Sequence, residues 1–211
     1  MTTAVIFDCD GVLVDTELIS NTVLAGLLTD AGIPTTYEDC MRDFRGRSLE
    51  SVVSIVGAAS GPPPPVDLAE RYYAEVEAVF ARELDPVPGV IAALDRITLP
   101  SCVASSGPHH KMAVTLRTTG LWERFEGRIF SAHEVRHGKP APDLFLHAAA
   151  RMGFDRATTA VVEDSLPGVQ AAVAAGMRAL AYTRHSSDEE MRLAGGEPFA
   201  DMAELPGLLA T

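Results

Sequence analysis

The sequence predicts an α/β protein, a parallel sheet with an all-helical unit inserted after its first strand. Three observations predict it. From about residue 88 onward, short apolar runs alternate with helical stretches, the grammar of parallel strands joined by right-handed crossovers. The first apolar run, Val5-Ile6-Phe7, stands far ahead of the second, Ser101 to Ser105. The long interval between them carries several helical patterns and no convincing strand, whereas a crossover needs only about a dozen residues.

Each element has a local reason. Val5-Ile6-Phe7 is rich in strand-forming residues and reads as a buried strand. Glu17 to Ala31 places Leu18, Val23, Leu24, Leu27, Leu28 and Ala31 near helical spacing and ends at Gly32 and Pro34. A second helix is expected near Thr36, with Glu38 and Asp39 in its first turn. Phe44-Arg45-Gly46-Arg47-Ser48 is a basic turn, after which Ser48 can cap Leu49 to Ala58. Gly61 to Pro65 suits neither helix nor central strand and reads as a stiff connector. Asp67 to Leu84 is amphipathic, with Leu68, Tyr72, Val76, Val79 and Phe80 on one side. Asp85-Pro86-Val87-Pro88-Gly89 breaks the chain.

Then follow a helix from Val90 to Ile97, a strand from Ser101 to Ser105, and a helix from His109 to Thr119. Gly127 to Ala132 is a strand, Pro142 to Met152 a helix, and Ala160 to Val162 a strand running into Glu163-Asp164. Leu166 to Ala175 is helical, Arg178 to Thr183 a strand, and two short helical segments finish the chain. Residues 1–15 and 87–211 are therefore expected to form a Rossmann-like core, with residues 16–86 a helical domain inserted into it. Its two crossings, near Asp15-Thr16 and Pro86 to Pro88, should lie side by side and can serve as hinges.

Composition narrows the function classes. The chain has 211 residues, 47% of them hydrophobic, enough for a sizeable core. Its formal net charge of −12 argues against nucleic-acid binding. A phosphorylated substrate stays open, because a local cation or metal outweighs the global sign. No apolar run approaches membrane-spanning length, so no membrane association is expected. The N-terminus enters the first strand without a basic region and cleavage site, so no signal peptide is expected. Cys9, Cys40 and Cys102 are odd in number and unclustered, which fits a reducing, cytoplasmic setting and gives neither a disulfide framework nor a zinc site. A monomer fits the sequence, which sets no oligomeric state.

Ligands of open parallel sheets bind beyond the carboxyl ends of the strands. Those ends carry Asp8 and Asp10, then Ser105-Ser106-Gly107, then Lys139, then Glu163-Asp164. Asp8 and Asp10 leave a strand on the same side, and two such acids need a cation or a division of labour. Gly11 lets the backbone turn at once and approach a ligand. Taken singly, Ser105 and Asp164 could be helix caps and Lys139 a solvated turn residue. Together, at successive strand ends, they read as one site. Oxygen ligands from several strands suit a hard cation, Mg²⁺ above all. A carboxylate beside Mg²⁺ can attack phosphorus, its neighbour can move the proton, and Lys139 and Ser105 can hold phosphoryl oxygens.

The stretches Asp8-Cys9-Asp10-Gly11-Val12-Leu13-Val14-Asp15, Ser105, Gly138 to Asp143 and Val161 to Gly168 resemble the four ordered motifs of the haloacid dehalogenase superfamily. The helical insert resembles the cap of the branch that holds β-phosphoglucomutase and sugar-phosphate phosphatases. The resemblance implies that Asp8 is the nucleophile and Asp10 the general acid/base. It implies that Asp8, the Asp10 carbonyl and Asp164 bind Mg²⁺, with Glu163 either a ligand or the orienter of a metal-bound water. Lys139 and Ser105 would bind the phosphoryl group, flanked by Gly11, Ser106 and Gly107, and Arg47 of the cap would meet the substrate. Arg45 reads equally well as substrate-facing or solvated, and His109 and His110 as surface residues at a helix start.

Asp10 separates this chain from the dehalogenases, which lack a second aspartate there. Many mutases carry a histidine where Leu18-Ile19-Ser20-Asn21 stands here, so a phosphatase of small phosphorylated sugars or sugar acids comes first and a phosphosugar mutase second. The stretch from Cys102 to Met112 and the helix around Tyr72 to Leu84 resemble the 6-phosphogluconate phosphatase subgroup. The third alternative is a non-catalytic phosphoacceptor or binding module, because receiver domains also use a strand-end Asp, Mg²⁺ and a Lys. The paired Asp8/Asp10 and the insert disfavour it.

Overall fold

Strands form where short runs of Val, Ile, Ala and Leu are apolar on both faces, the signature of a sheet covered on both sides. In the structure, a computed structural model describing residues 1–58 and 63–210, they are β1 (Ala4–Phe7), β2 (Ser101–Ser105), β3 (Ile129–Ser131), β4 (Thr159–Glu163) and β5 (Arg178–Tyr182), joined by a short edge strand β6 (Glu197–Phe199). All neighbours pair in parallel, in the order β3-β2-β1-β4-β5-β6. That is the strand order of the Rossmann fold, and it reverses direction between β1 and β4. Val5 and Phe7 pack into one apolar layer and Ile6 into the other.

Among the described residues five helices lie between β1 and β2, and the first four are α1 (Glu17–Asp30), α2 (Tyr37–Asp43), α3 (Leu49–Ala58) and α4 (Leu68–Glu83). Thr36 and Asp39 start α2 with a reciprocal capping box, the Thr36 hydroxyl accepting from the Asp39 amide at 3.1 Å and the Asp39 carboxylate from the Thr36 amide at 3.0 Å. Ser48 accepts from the Ser51 amide at 3.3 Å and starts α3. Leu68, Tyr72, Val76 and Phe80 form the buried stripe of α4. The remaining helices are α5 (Val90–Arg96), α6 (His109–Thr118), α7 (Trp122–Phe125), α8 (Asp143–Met152), α9 (Leu166–Ala174), α10 (Asp188–Leu193) and α11 (Leu205–Leu209). Helices α8 and α9 cover one face of the sheet; α5, α6 and α11 cover the other, where the apolar layer continues into α1 and α4.

The chain leaves the sheet and returns to it at one place. Val14 and Pro86 form an antiparallel bridge, the Asp15 amide donates to the Asp85 carbonyl at 3.0 Å, and the Val87 amide to the Leu13 carbonyl at 3.0 Å.

The end of the chain differs from expectation. Between its two short helices lies β6, whose Pro198 cannot donate to a ladder and is tolerated because β6 is an edge strand paired only with β5. The single turn α7 was not expected, and β3 is shorter than the predicted Gly127 to Ala132. Of the proline-rich connector, Pro63 to Pro65 lie outside helix and strand, and Gly61 and Pro62 fall outside the described residues. Among the described residues no helix is long and apolar enough to cross a membrane.

Candidate active site

Sheet register assembles the acids. Phe7 lies opposite Val162, so the next residues, Asp8 and Glu163, emerge side by side at the carboxyl edge. The Asp8 amide donates to the Val162 carbonyl at 2.9 Å, which extends the ladder by one bond. Asp164 follows, and one carboxylate oxygen from each of Asp8, Glu163 and Asp164 falls within 4.8 Å of the others. All three are buried. This is the crevice where strand order reverses, the expected ligand site of such a sheet.

Lys139 reaches this cluster from the loop before α8. Its ammonium is 2.6 Å from Asp8 and 2.5 Å from Glu163. Three carboxylates and one ammonium leave two negative charges uncompensated in a buried place. Burial pushes the Asp8 carboxyl up to about 7, with Glu163 and Asp10 adding to the push and Lys139 opposing it. Burial, then the charges of Glu17 and Glu163, push Asp164 well above its ordinary value. Asp164 Oδ2 is buried with no hydrogen-bond partner, a condition that is costly unless something else contacts it. An all-oxygen donor set with excess negative charge and an orphaned carboxylate oxygen fits a hard divalent cation.

Glu163 is engaged on both oxygens. Oε1 accepts from Lys139, and Oε2 accepts from the Ser165 amide at 2.8 Å and hydroxyl at 2.9 Å. Ser165 also caps α9, its hydroxyl accepting from the Gly168 amide at 3.2 Å. Gly11 has φ +75°, and a Cβ there would come 2.4 Å from Asp164 Oδ2, so only glycine lets the turn pass so close to the cluster.

Asp10 sits apart from the cluster and has partners of its own. Thr16 donates to Oδ1 at 2.7 Å, Lys111 is 2.8 and 2.9 Å from the two oxygens, and the Ser105 hydroxyl is 3.5 Å from Oδ2. Burial works to raise Asp10, but Lys111 and Thr16 outweigh it and hold the carboxyl below its ordinary value. Burial likewise opposes the charges of Lys139 and Lys111, and their carboxylate partners more than restore them. Ser105 accepts from the Gly107 amide at 3.1 Å, and Ser131 fixes the same loop by donating to the Gly107 carbonyl at 2.7 Å.

The basic turn between α2 and α3 lies over this edge. Ser106 donates to the Gly46 carbonyl at 3.3 Å. Gly46 has φ +74°, and a Cβ there would overlap the Ser165 side chain. Arg45, half-buried in the wall of the pocket, is committed to the core rather than to solvent. It donates to the Asp164 carbonyl at 2.8 Å, to the His185 carbonyl at 2.5 Å and to the Ser186 hydroxyl, spanning from the turn to the ends of two strands. Arg47 is exposed at the rim, its Nε donating to the Asp43 carbonyl at 3.2 Å.

One pocket therefore gathers Asp8, Asp10, Ser105, Ser106, Gly107, Lys139, Asp164 and Arg47, together with Glu17, Ser20, Asn21, Tyr72, Tyr73 and Lys111. Glu163 and Gly11 support its floor from behind. His109 and His110 are exposed and pair with Glu134 and Glu77. Lys111, Thr16, Ser165 and Glu17 were not anticipated as site residues. Lys111 had a signal: it falls with Met112, Thr115 and Leu116 on the buried side of α6, where a lysine requires a buried partner.

Comparison with known proteins agrees with this geometry. Residues 2–176 match the family model for haloacid dehalogenase-like hydrolases. The chain is 32% identical over 206 residues to 6-phosphogluconate phosphatase of Escherichia coli (strain K12), covering 97% of this chain and 93% of that protein. It is 27% identical over 194 residues to hexitol phosphatase B of the same organism, covering 90% and 87%. Among solved structures, a haloacid dehalogenase-like protein from Agrobacterium tumefaciens strain C58 superposes with a TM-score of 0.84 at 33% identity, covering 100% of this chain and 98% of that one. A haloacid dehalogenase family hydrolase from Deinococcus radiodurans R1, crystallised with bound phosphate and sodium, gives 0.75 at 27% identity, covering 99% and 95%. With its motifs at the strand ends and its helices between β1 and β2, the chain belongs to the haloacid dehalogenase-like hydrolases and is an enzyme of that family.

Proposed function

We propose that the protein is a Mg²⁺-dependent phosphatase of a small phosphorylated sugar or sugar acid, working through an aspartyl-phosphate. The observation that carries this is the buried cluster of Asp8, Glu163 and Asp164 with its unpartnered Asp164 oxygen, set beside a separately held Asp10. Residues 16–86 act as a cap over a core of residues 1–15 and 87–211, joined through the paired crossings at Val14 and Pro86. A cytoplasmic setting is part of the proposal, supported by three buried free thiols, Cys9, Cys40 and Cys102.

Asp8, Asp164 and the Asp10 carbonyl would hold Mg²⁺. Glu163, with both oxygens already bonded, fits the role of orienter better than that of direct ligand. The ion supplies charge neutralisation at the phosphoryl oxygens. An Asp8 oxygen attacks phosphorus, a new O–P bond forms, and the bond to the leaving oxygen breaks. Asp10 is placed to pass that oxygen a proton taken up from solvent, then takes one from the water that attacks the aspartyl-phosphate, which frees inorganic phosphate and Asp8. Lys139 and Ser105, with the Ser106–Gly107 backbone, hold phosphoryl oxygens. Arg47 meets the distal part of the substrate at the rim.

The test is phosphate release over a panel of phosphorylated metabolites with Mg²⁺. Asp8→Asn should abolish release while circular dichroism stays unchanged, and a chelator should abolish it in the unaltered enzyme. Full turnover in either case overturns the mechanism. Conversion of β-glucose 1-phosphate to glucose 6-phosphate with a trace of bisphosphate would make the protein a mutase, and a long-lived phosphoprotein without turnover would make it a phosphoacceptor.

A further inference from the structure

Four cations line the pocket: Arg45, Arg47, Lys111 and Lys139. Three have evident tasks. Lys139 is committed to Asp8 and Glu163, Arg45 to the Asp164 and His185 backbone carbonyls, and Arg47 stays exposed. Lys111 is different. It is 7% exposed and stands beside Asp10, away from the carboxylate cluster. The Phe80 ring lies 5.8 Å from its ammonium, and Tyr72 and Tyr73 of the same helix line the same pocket.

Asp10 offsets the cost of burying the Lys111 ammonium, yet it leaves part of that ammonium's donor capacity unused. Asp10 does not require Lys111 for its orientation, since Thr16 already holds Oδ1 at 2.7 Å. An ammonium has three N–H donors, and the two contacts to Asp10 leave one for a ligand in the pocket that Lys111 lines. The surrounding wall, with Glu17, Ser20, Asn21 and Tyr72, presents carboxylate, hydroxyl and amide groups suited to a polyhydroxylated leaving group. Glu17, the anion of that wall, is occupied by Asn21 at 3.2 Å.

We propose that Lys111 is a specificity-determining residue: it binds the carboxylate of a phosphorylated sugar acid and holds that leaving group against Asp10. A neutral sugar phosphate of the same length forgoes this charge-assisted bond. The inference rests on the phosphatase function proposed above and narrows its substrate class from sugar phosphates to sugar-acid phosphates.

The test uses a matched pair, 6-phosphogluconate and glucitol 6-phosphate, which share a six-carbon open chain and differ at C1, carboxylate against hydroxymethyl. Phosphate release with Mg²⁺ should give the unaltered enzyme a kcat/KM about 10- to 100-fold higher for the acid, the worth of one charge-assisted hydrogen bond. Lys111→Met should lower both substrates through the loss of Asp10's partner, and lower the acid further so that the ratio comes to about one, and Lys111→Arg should keep it above one. A Lys111 that serves only Asp10 or the phosphoryl group would lower both substrates by the same factor, and that result overturns the proposal. Product inhibition of the unaltered enzyme gives a check independent of any variant: gluconate should inhibit at lower concentration than glucitol, and equal inhibition overturns the proposal. If p-nitrophenyl phosphate and glucitol 6-phosphate are hydrolysed without preference for the acid, the phosphatase function stands and the role of Lys111 falls. If none of the three releases phosphate, both fall.

Discussion

Replacing Asp8 by asparagine is expected to stabilise the chelated protein while ending turnover. Asp8 is 5% exposed, and the cation that touches it, Lys139, is shared with Glu163. Burial first, and then Glu163 and Asp10, lift its carboxyl from 3.8 to about 7 against the pull of Lys139. An acid whose folded pKa lies above its unfolded value is harder to ionise in the native protein. Its stability contribution is fully present below the unfolded pKa and is lost as pH rises through the folded pKa. At 1.36 kcal/mol per pKa unit the penalty above about pH 7 approaches ~4 kcal/mol. Relaxation and entering water reduce it, so about 2–4 kcal/mol is the expected range. Asparagine has the shape of the protonated acid and carries no charge to desolvate. Urea denaturation in chelator at about pH 8 should therefore show Asp8→Asn more stable by about that amount. The gain should fade below about pH 7 and vanish near pH 4. Added Mg²⁺ should narrow it, because a ligand stabilises only the form that binds it. A variant less stable than the unaltered protein in chelator at about pH 8 would refute the reasoning, since the cluster would then not be under net charge repulsion.

Three further outcomes follow from neighbouring contacts. Lys139→Met leaves Asp8 and Glu163 without their shared ammonium, and urea denaturation in chelator should register a loss of about 3–5 kcal/mol. Ser165→Ala removes the cap bond to the Gly168 amide and the contact with Glu163; the same measurement should show a loss of about 1–2 kcal/mol. Gly46→Ala puts a Cβ into the Ser165 side chain at φ +74°, which should push the basic turn off the core and raise KM about tenfold or more. An unchanged KM for that variant would show that the seat of the turn is irrelevant to substrate binding.

Much of the sheet was legible because a buried parallel strand has few disguises. Val5 to Phe7 and Ala160 to Val162 are too apolar and too short to be anything else between breakers. β6 was not legible. It is three residues long, begins with the exposed Glu197 and contains Pro198, so neither length nor alternation marks it, and only pairing with β5 makes it a strand. The turn from Phe44 to Ser48 was legible as a basic turn, yet the target of Arg45 was not. That target is a set of backbone carbonyls, and backbone acceptors leave no trace in residue identity.

At the site, position was legible and partnership was not. Parallel strands bring their carboxyl ends to one edge whatever their sequence, so Asp8, Glu163 and Asp164 had to meet once the strands were placed. Which cation faces which acid depends on how α6 and the loop before α8 are rotated, and no spacing encodes that. The partnerships matter because they divide the two aspartates. Asp10 has Thr16 and an undivided Lys111 and lies below its ordinary range; Asp8 shares Lys139 with Glu163 and lies above it. Environments that push paired acids apart mark different tasks. Yet a nucleophile must be ionised, and the side chains around Asp8 alone oppose that. A divalent charge held by Asp8 and the unpartnered Asp164 oxygen would reverse the opposition. The raised Asp8 is thus itself an argument that the cluster is shaped for a cation: without one, the residue best placed to attack is held back from carrying charge.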